Sequence, residues 1–222
     1  MDKQPSNAAI SRSALRRQRE KELRYQTILR AAESLFSKNG YHQTSMEQIA
    51  DQAEVSTGSV YFYFKNKADL LVHLLTEIGD FLRKLVGTEF RKFDSSMEGF
   101  KSAGLVFFRE FCLQHPEKVA ILFRESTGQS VEVEELRKKL FDQLTTDIRN
   151  ALVQIIMRRT TDFSARLSVE VMAVCIVGIY ERVGYHYLLW QNRSEDILTI
   201  GEDAVAFIIG GVEKLIEETS LV

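Results

Sequence analysis

Residues 56–67 read STGSVYFYFKNK and are the most informative short stretch of the chain. It contains four aromatic side chains in a row, from Tyr61 to Phe64. A helix turns by about 100° per residue, so four neighbouring rings cannot all face one buried surface. Val60 and Phe64 share a helical face, which predicts that both pack inside the protein. The first two rings of the row then point away from the core, and the third lies at its edge.

A second short helix is predicted just before this stretch. The order Thr44-Ser45-Met46-Glu47 matches a capping box, in which the Thr44 hydroxyl accepts from the Glu47 amide and the Glu47 side chain reaches back. The helix is expected to end near Ala53, and three residues, Glu54 to Ser56, link it to the next one. Two short helices joined by so tight a link are typical of a helix-turn-helix.

Apolar residues with a period of 3.6 predict helices along the rest of the chain. Their predicted ranges are about 21–39, 67–86, 95–113, 116–125, 131–158, 166–190 and 194–218. The sequence therefore predicts an all-α protein. A three-helix helix-turn-helix domain at residues 20–80 is followed by a larger helical domain at residues 81–222. Before them, residues 1–19 are expected to form a flexible basic arm that carries Arg12, Arg16, Arg17 and Arg19. This arm either contacts DNA phosphates or a minor groove, or is a solvated tail.

Charge is distributed unevenly along the chain. Residues 1–67 carry 11 Lys/Arg and 7 Asp/Glu, a formal charge of +4, and the remaining 18 and 24 give residues 68–222 a charge of −6. Chance can produce this asymmetry, but it is also typical of a DNA-binding head on a separate regulatory body. The two cysteines lie far apart and no secretory leader is recognised, so a reducing cytoplasm is expected. The longest apolar stretch, about residues 171–180, is too short to cross a membrane.

The motifs of common enzyme classes are missing from the sequence. There is no Gly-rich phosphate loop, no nucleophile elbow and no HExxH pattern. The four histidines, His42, His73, His115 and His186, do not have the spacing of metal ligands. We therefore expect no enzymatic activity, no cofactor and no metal site.

The outward face of the 56–67 helix suits the major groove of DNA. Serine, threonine and tyrosine hydroxyls donate to phosphate oxygens, and a thymine methyl can meet an aromatic edge. Gly58 lets the helix start approach closely, while Lys65 and Lys67 would neutralise phosphates on the flank. Two alternatives stay open here. The tyrosines can belong to the core, and Thr44 can serve only as a helix cap.

These residues together resemble one known family. The residues that carry the resemblance are Gly40-Tyr41, Thr44-Ser45-Met46, Ile49-Ala50, Ala53, Val55-Ser56, Gly58 to Lys67 and Leu70-Leu71. Over residues 20–80 this pattern is similar to the N-terminal domain of the tetracycline-repressor (TetR) family of bacterial regulators. The resemblance implies a helix-turn-helix at residues 45–64. It implies phosphate contacts from Thr44, Ser45, Tyr61, Tyr63 and Lys67, base reading by Thr57, Gly58 and Ser59, and a variable role for Phe62.

The second domain shows features of its own. The helix at 166–190 is apolar nearly all round between Val169 and Ile179, and the last helix carries Gly210-Gly211, which permits close approach. Two such helices from each subunit predict a four-helix homodimer interface, which implies a palindromic DNA site with recognition helices about 34–36 Å apart. Two clusters are candidate ligand contacts: Phe108, Cys112 and His115, and Tyr180, Tyr185 and Trp190. Alternatively, the first cluster contains a core histidine and the second is an interface rim or an internal ion pair.

The sequence thus predicts a ligand-responsive DNA-binding regulator. A repressor released from its operator by a small apolar or amphipathic effector is the main hypothesis. The stretch from Phe123 to Leu140 resembles members of the family that respond to fatty acyl compounds. The alternatives are a helical ligand-binding or enzymatic protein that has lost DNA function, and a DNA-binding activator or structural DNA binder without a ligand.

Overall fold

The computed structural model describes residues 12–158 and 167–219. Nine α-helices follow one another in this part of the chain: α1 Arg12–Asn39, α2 Met46–Gln52, α3 Thr57–Tyr63, α4 Lys67–Lys92, α5 Met97–Val106, α6 Pro116–Ala120, α7 Val131–Met157, α8 Leu167–Gly184 and α9 Ile197–Thr219. Single π-helical segments follow three of them, at Phe107–Cys112, Ile121–Glu125 and Tyr185–Trp190. No strand occurs in the described residues, so the predicted all-α class is confirmed.

Helices α1 to α3 and the start of α4 form the N-terminal helix-turn-helix head. Val60 and Phe64 are both 0% exposed, which confirms that they anchor α3 from behind. The Phe64 ring stacks on Tyr25 of α1 at 5.4 Å between ring centres. Val60 on α3 and Phe64 at its C-cap therefore hold the helix against the core.

The start of α2 differs from the prediction by one residue. Ser45, not Thr44, is the N-cap, and its capping-box partner is Gln48 rather than Glu47. The Thr44 side chain is buried instead, and its hydroxyl donates to the Gly40 carbonyl at 2.9 Å. Both residue pairs satisfy the Ser/Thr-x-x-Glu/Gln pattern, and the buried hydrogen bond of Thr44 decides between them.

The starts of two other helices also differ from the prediction. Helix α1 begins at Arg12, so the four arginines assigned to a flexible arm lie on its first turns, and residues 1–11 are outside the described part. At α5, Ser96 is the N-cap and its hydroxyl accepts from the Gly99 amide at 3.3 Å. Ser95, where the sequence predicted the start of this helix, adopts a left-handed backbone with φ 53° and lies outside the helix.

The remaining helices form the larger C-terminal domain. Helix α4 runs on from the head and packs along α5 and α7, while α8 lies between α7 and α9. At the crossing of α4 and α7, a Cβ on Gly79 would come within 2.5 Å of the end of the Leu140 side chain, so a larger residue at position 79 would require that side chain to move. Within the described residues, no helix combines the length and the apolar character that a membrane crossing requires.

Candidate functional site

The recognition helix α3 exposes a mixed aromatic and hydroxyl surface. Tyr61 is 50% and Phe62 is 71% exposed, so the first two rings of the aromatic row do point away from the core. Gly58 is exposed, and a Cβ placed on it would meet no atom within 4 Å. At the N-cap, the Ser56 hydroxyl accepts from the Ser59 amide at 3.2 Å. The helix start is therefore preorganised and open to a partner.

Tyr63 lies at the edge of α3, as predicted, but it is held by α1. Its hydroxyl donates to the Lys21 carbonyl at 3.2 Å, and its ring lies 6.2 Å from that of Tyr25. The Lys21 ammonium lies 5.6 Å from the Phe62 ring centre. The phenol proton of Tyr63 is thus already used inside the head, and a phosphate contact through it requires this bond to open.

Lys67 also has partners within the protein. Its ammonium donates to the carbonyls of Tyr41 at 2.7 Å and Thr44 at 2.8 Å, with His42 at 3.4 Å, and it lies 4.4 Å from the Tyr41 ring centre. Burial lowers the pKa of Lys67. In this structure Lys67 therefore clamps the loop before α2, whereas the resemblance implied a phosphate contact. Lys65, two residues earlier, is exposed at the surface.

The two residues before α2 differ in what they can offer to DNA. The Thr44 hydroxyl is buried and donates to the Gly40 carbonyl, so it is not available to a phosphate in this conformation, and the implied phosphate contact of Thr44 stays a prediction. Ser45 is half-buried at the helix start, where its hydroxyl accepts from the Gln48 amide at 3.2 Å. Of the two, only Ser45 remains at a solvent-accessible position.

An apolar cavity of about 120 Å³ lies in the C-terminal domain between α4, α5, α7 and α8. On α7 its wall runs from Phe141 through Leu144 and Ile148 to Ala151, a distance of about 15 Å at 1.5 Å per residue. Other wall residues are Leu82, Val86, Phe90, Phe100, Phe107 and Phe123. The cavity is thus an elongated slot lined almost entirely by carbon.

The structure separates the six predicted ligand contacts. Only Tyr180 lines the apolar cavity. Tyr185 and Trp190 line a shallow surface depression together with Arg124 and Arg182. The depression and the cavity share Phe123 and Glu181.

The other cluster lies in the core rather than on the cavity wall. Phe108 and Cys112 are buried, and burial raises the pKa of the Cys112 thiol well above its ordinary value. The rings of His115 and Phe81 meet edge to face, with 4.9 Å between their centres. His115 itself is half-buried, so the alternative interpretation as a core histidine stays a prediction.

Sequence reasoning missed most of the cavity wall. The signal was present on α7, where Phe141, Leu144, Ile148 and Ala151 recur at steps of three and four. Such a stripe is also the pattern of an ordinary core face, so the sequence could not distinguish a cavity wall from filled core.

Two ion pairs flank the cavity. Arg83 donates to both carboxylate oxygens of Asp147, at 2.6 and 3.1 Å, so each of these oxygens has a hydrogen-bond donor. Arg137 donates to Glu181 at 3.3 Å and lies 5.0 Å from the Phe141 ring centre. The Nε of Arg137 is buried and has no hydrogen-bond partner among the described residues. Charge is thus available at the rim of an otherwise apolar slot.

A buried carboxylate connects the two domains. Glu125 Oε2 accepts from the Tyr41 amide at 2.8 Å, and Oε1 accepts from Arg124 Nε at 2.5 Å. Arg124 also donates to the Ser37 carbonyl at 3.1 Å, and Lys118 pairs with Glu33 of α1 at 2.5 Å. The π-helical segment that ends at Glu125 therefore holds the end of α1 and the turn before α2. No group of three or more metal-ligating side chains comes together among the residues that the structure places.

Comparisons with known proteins agree with this architecture. The family model described as bacterial regulatory proteins of the tetR family matches residues 28–74. Over 200 residues the chain is 41% identical to the fatty acid metabolism regulator protein of Bacillus subtilis, covering 88% of this chain and 99% of that protein. Over 102 residues it is 32% identical to the transcriptional repressor KstR of Mycobacterium tuberculosis, covering 46% of this chain and 41% of that protein.

Solved structures show the same fold. FadR of Bacillus subtilis in complex with stearoyl-CoA matches with a TM-score of 0.73 at 20% identity, covering 84% of this chain and 98% of that chain. FadR of Bacillus halodurans matches with a TM-score of 0.72 at 23% identity, covering 85% and 95%. Since one relative is similar over nearly its whole length, this chain belongs to the TetR family and is a ligand-responsive, DNA-binding regulator of transcription.

Proposed function

We propose that this chain is a homodimeric repressor that binds a palindromic operator and leaves it when a long-chain fatty acyl compound enters the C-terminal cavity. The observation that carries the proposal is the elongated apolar slot of the second domain. An extended chain advances about 1.2 Å per bond, so a wall of about 15 Å matches roughly twelve bonds of an alkyl chain. The relative that regulates fatty acid metabolism supports the same effector class.

The DNA contacts are proposed for the head, residues 20–80. Thr57, Gly58 and Ser59 would enter the major groove at the start of α3, with Tyr61 and Phe62 beside them. Ser45 and Lys65 would contact backbone phosphates. A DNA-binding regulator acts where the chromosome is, so we place the protein in the cytoplasm.

The dimer is proposed for residues 81–222, through α8 and α9. Their outer faces leave an apolar surface uncovered: Val171 and Val174 are exposed on α8, and Phe207 is exposed on α9. Gly178 of α8 and Gly210 of α9 lie on the same faces with open space above them, so a partner helix can approach closely. Burying this surface in a two-fold four-helix contact would set the spacing of the two heads.

One pair of variants tests the dimer. Val174→Glu places a charge on the proposed seam, and Val131→Glu makes the same change at a valine that is 70% exposed at the start of α7. We expect sedimentation to show a monomer for Val174→Glu and an unchanged dimer for Val131→Glu. A Val174→Glu protein that remains dimeric would contradict the seam.

The effector would act through the segment Ile121–Glu125. Phe123 of this segment lines the cavity, and Glu125 two residues later holds the Tyr41 amide. A cavity of about 120 Å³ is smaller than the 300–1,000 Å³ of ordinary ligand pockets, so an effector must displace its walls. Displacement of Phe123 would shift Glu125 and hence the turn before α2. Binding of effector and DNA would then weaken each other equally, by about 1–3 kcal/mol.

The test begins with selection of bound fragments from the organism's own genome. Operator affinity is then measured by fluorescence anisotropy with and without stearoyl-CoA, with CoA alone as the control. We expect selective binding that falls with salt, and a loss of affinity of roughly five- to 150-fold with stearoyl-CoA only. Absence of selective binding would refute the operator, and an operator affinity that stearoyl-CoA leaves unchanged would refute the effector class.

A further inference from the structure

The hydroxyl of Tyr180 is an unusual polar group on the cavity wall. Burial holds the pKa of this phenol well above its ordinary value, so it remains a protonated donor. The ring is fixed by Phe107 and Phe108, at 5.1 and 5.7 Å between ring centres. The hydroxyl lies directly against Gly104, where any Cβ would overlap it. Its position is therefore set by packing on several sides.

Tyr180 is half-buried on the wall of the apolar slot, and its hydroxyl makes no hydrogen bond to another described residue. A hydroxyl that faces an apolar slot without a partner loses the hydrogen bonds that it makes in bulk water, and polar groups in such surroundings are nearly always satisfied. A phenylalanine at this place would keep the ring packing and avoid that cost. The unsatisfied donor thus indicates that the occupant of the cavity supplies an acceptor.

The neighbouring charges indicate which end of the slot is polar. Glu181 follows Tyr180 on α8 and pairs with Arg137, whose buried Nε has no partner among the residues that the structure describes. At this end the cavity adjoins the surface depression that contains Arg124 and Arg182. The opposite part of the wall consists of Phe90, Phe100 and other carbon groups. An amphipathic occupant therefore has its apolar tail beside these rings and its polar group near Tyr180.

We propose that Tyr180 donates a hydrogen bond to the acyl carbonyl oxygen of the effector, and so selects acyl compounds over alkyl chains that lack this oxygen. The proposal rests on the proposed function, because it assigns a specificity role within the same cavity. A carbonyl oxygen is an acceptor only, which complements a hydroxyl that needs an acceptor. A ligand with a plain alkyl chain would leave the donor unsatisfied.

Two ligands and three proteins test this role. The ligands are stearoyl-CoA and its S-octadecyl thioether, which differ in the carbonyl oxygen. The proteins are the wild type, Tyr180→Phe and, as a control, Tyr185→Phe. The control makes the same change at a tyrosine that lines the surface depression and not the cavity. Binding constants come from titration calorimetry, and melting temperatures confirm that the variants are folded.

The wild type and Tyr185→Phe should bind stearoyl-CoA about tenfold more tightly than the thioether, which is the value of one well-formed buried hydrogen bond. Tyr180→Phe should bind both ligands with nearly equal affinity. If Tyr180→Phe retains the wild-type ratio, the assignment of Tyr180 is overturned while the effector class stands. If the wild type binds neither ligand, both the effector class and this assignment fall.

Discussion

Replacing Glu125 by alanine removes the carboxylate that joins the two domains. The variant loses the hydrogen bond from the Tyr41 amide at 2.8 Å and the contact with Arg124. Glu125 is buried, and so is the Tyr41 side chain, so water does not easily replace the lost acceptor. We therefore expect both a loss of stability and a loosened turn before α2.

The expected size follows from these two contacts. A hydrogen bond to a charged group contributes about 1.5–3 kcal/mol, and this range already includes much of the cost of stranding the amide. The Arg124 pair adds little, about 0–1 kcal/mol, because the arginine side chain is more than one third exposed. A total loss of about 1.5–4 kcal/mol in the free energy of unfolding is expected.

Urea unfolding followed by circular dichroism measures the total, and hydrogen exchange at the Tyr41 amide measures the local effect. Glu125→Gln is an intermediate variant, because its amide oxygen can still accept from Tyr41 but carries no charge. Glu135→Ala on the exposed face of α7 is the matched surface control and should change stability by less than about 0.5 kcal/mol. Tyr41 exchange should quicken most in Glu125→Ala.

The same variants address communication between the cavity and DNA. If Glu125 transmits displacement of Phe123, the ratio of operator affinities without and with stearoyl-CoA should fall towards one in Glu125→Ala. Glu135→Ala should keep the wild-type ratio. Unchanged Tyr41 exchange together with unchanged stability would refute the reasoning, because the carboxylate would then not hold the turn.

Further outcomes are expected in the head. Phe64→Ala should cost about 3–5 kcal/mol of unfolding free energy in urea titrations, since the ring is fully buried. Tyr61→Ala should instead keep the melting temperature and weaken operator binding; a large loss of stability would mean that the ring belongs to the core. Lys67→Met should lower stability by about 1–2 kcal/mol and leave the salt slope of DNA binding unchanged, because its ammonium is held by carbonyls. If the salt slope of this variant is instead lower by about one, Lys67 does contact a phosphate. Thr44→Val removes the hydrogen bond to the Gly40 carbonyl and should lower the free energy of unfolding by about 1 kcal/mol. A variant as stable as the wild type would contradict a stabilising role for this bond.

The parts of the fold that sequence alone could predict depend on local periodicity. The helix-turn-helix and the burial of Phe64 follow from residues within one helical turn of each other, and both are confirmed. The hydrogen-bond partners of Tyr63 and Lys67, in contrast, lie far from them in the sequence. Lys21 precedes Tyr63 by 42 positions, and Tyr41 precedes Lys67 by 26. No helical pattern encodes contacts between residues so far apart in the sequence. The sequence therefore predicted that both side chains were available to contact DNA.

The absence of Phe108, Cys112 and His115 from the cavity wall has a specific cause in backbone geometry. Phe108, Cys112 and His115 are spaced by four and three, which puts them on one face of a regular α-helix. The chain instead forms a π-helical segment at Phe107–Cys112, which inserts a wider turn and rotates the side chains beyond it. Phe107 then faces the cavity, and Phe108 packs so closely on Gly201 of α9 that a Cβ there would come within 2.5 Å of the ring. Because π-helical turns have no dependable sequence signal, a face assigned by counting along a regular helix becomes wrong at this point.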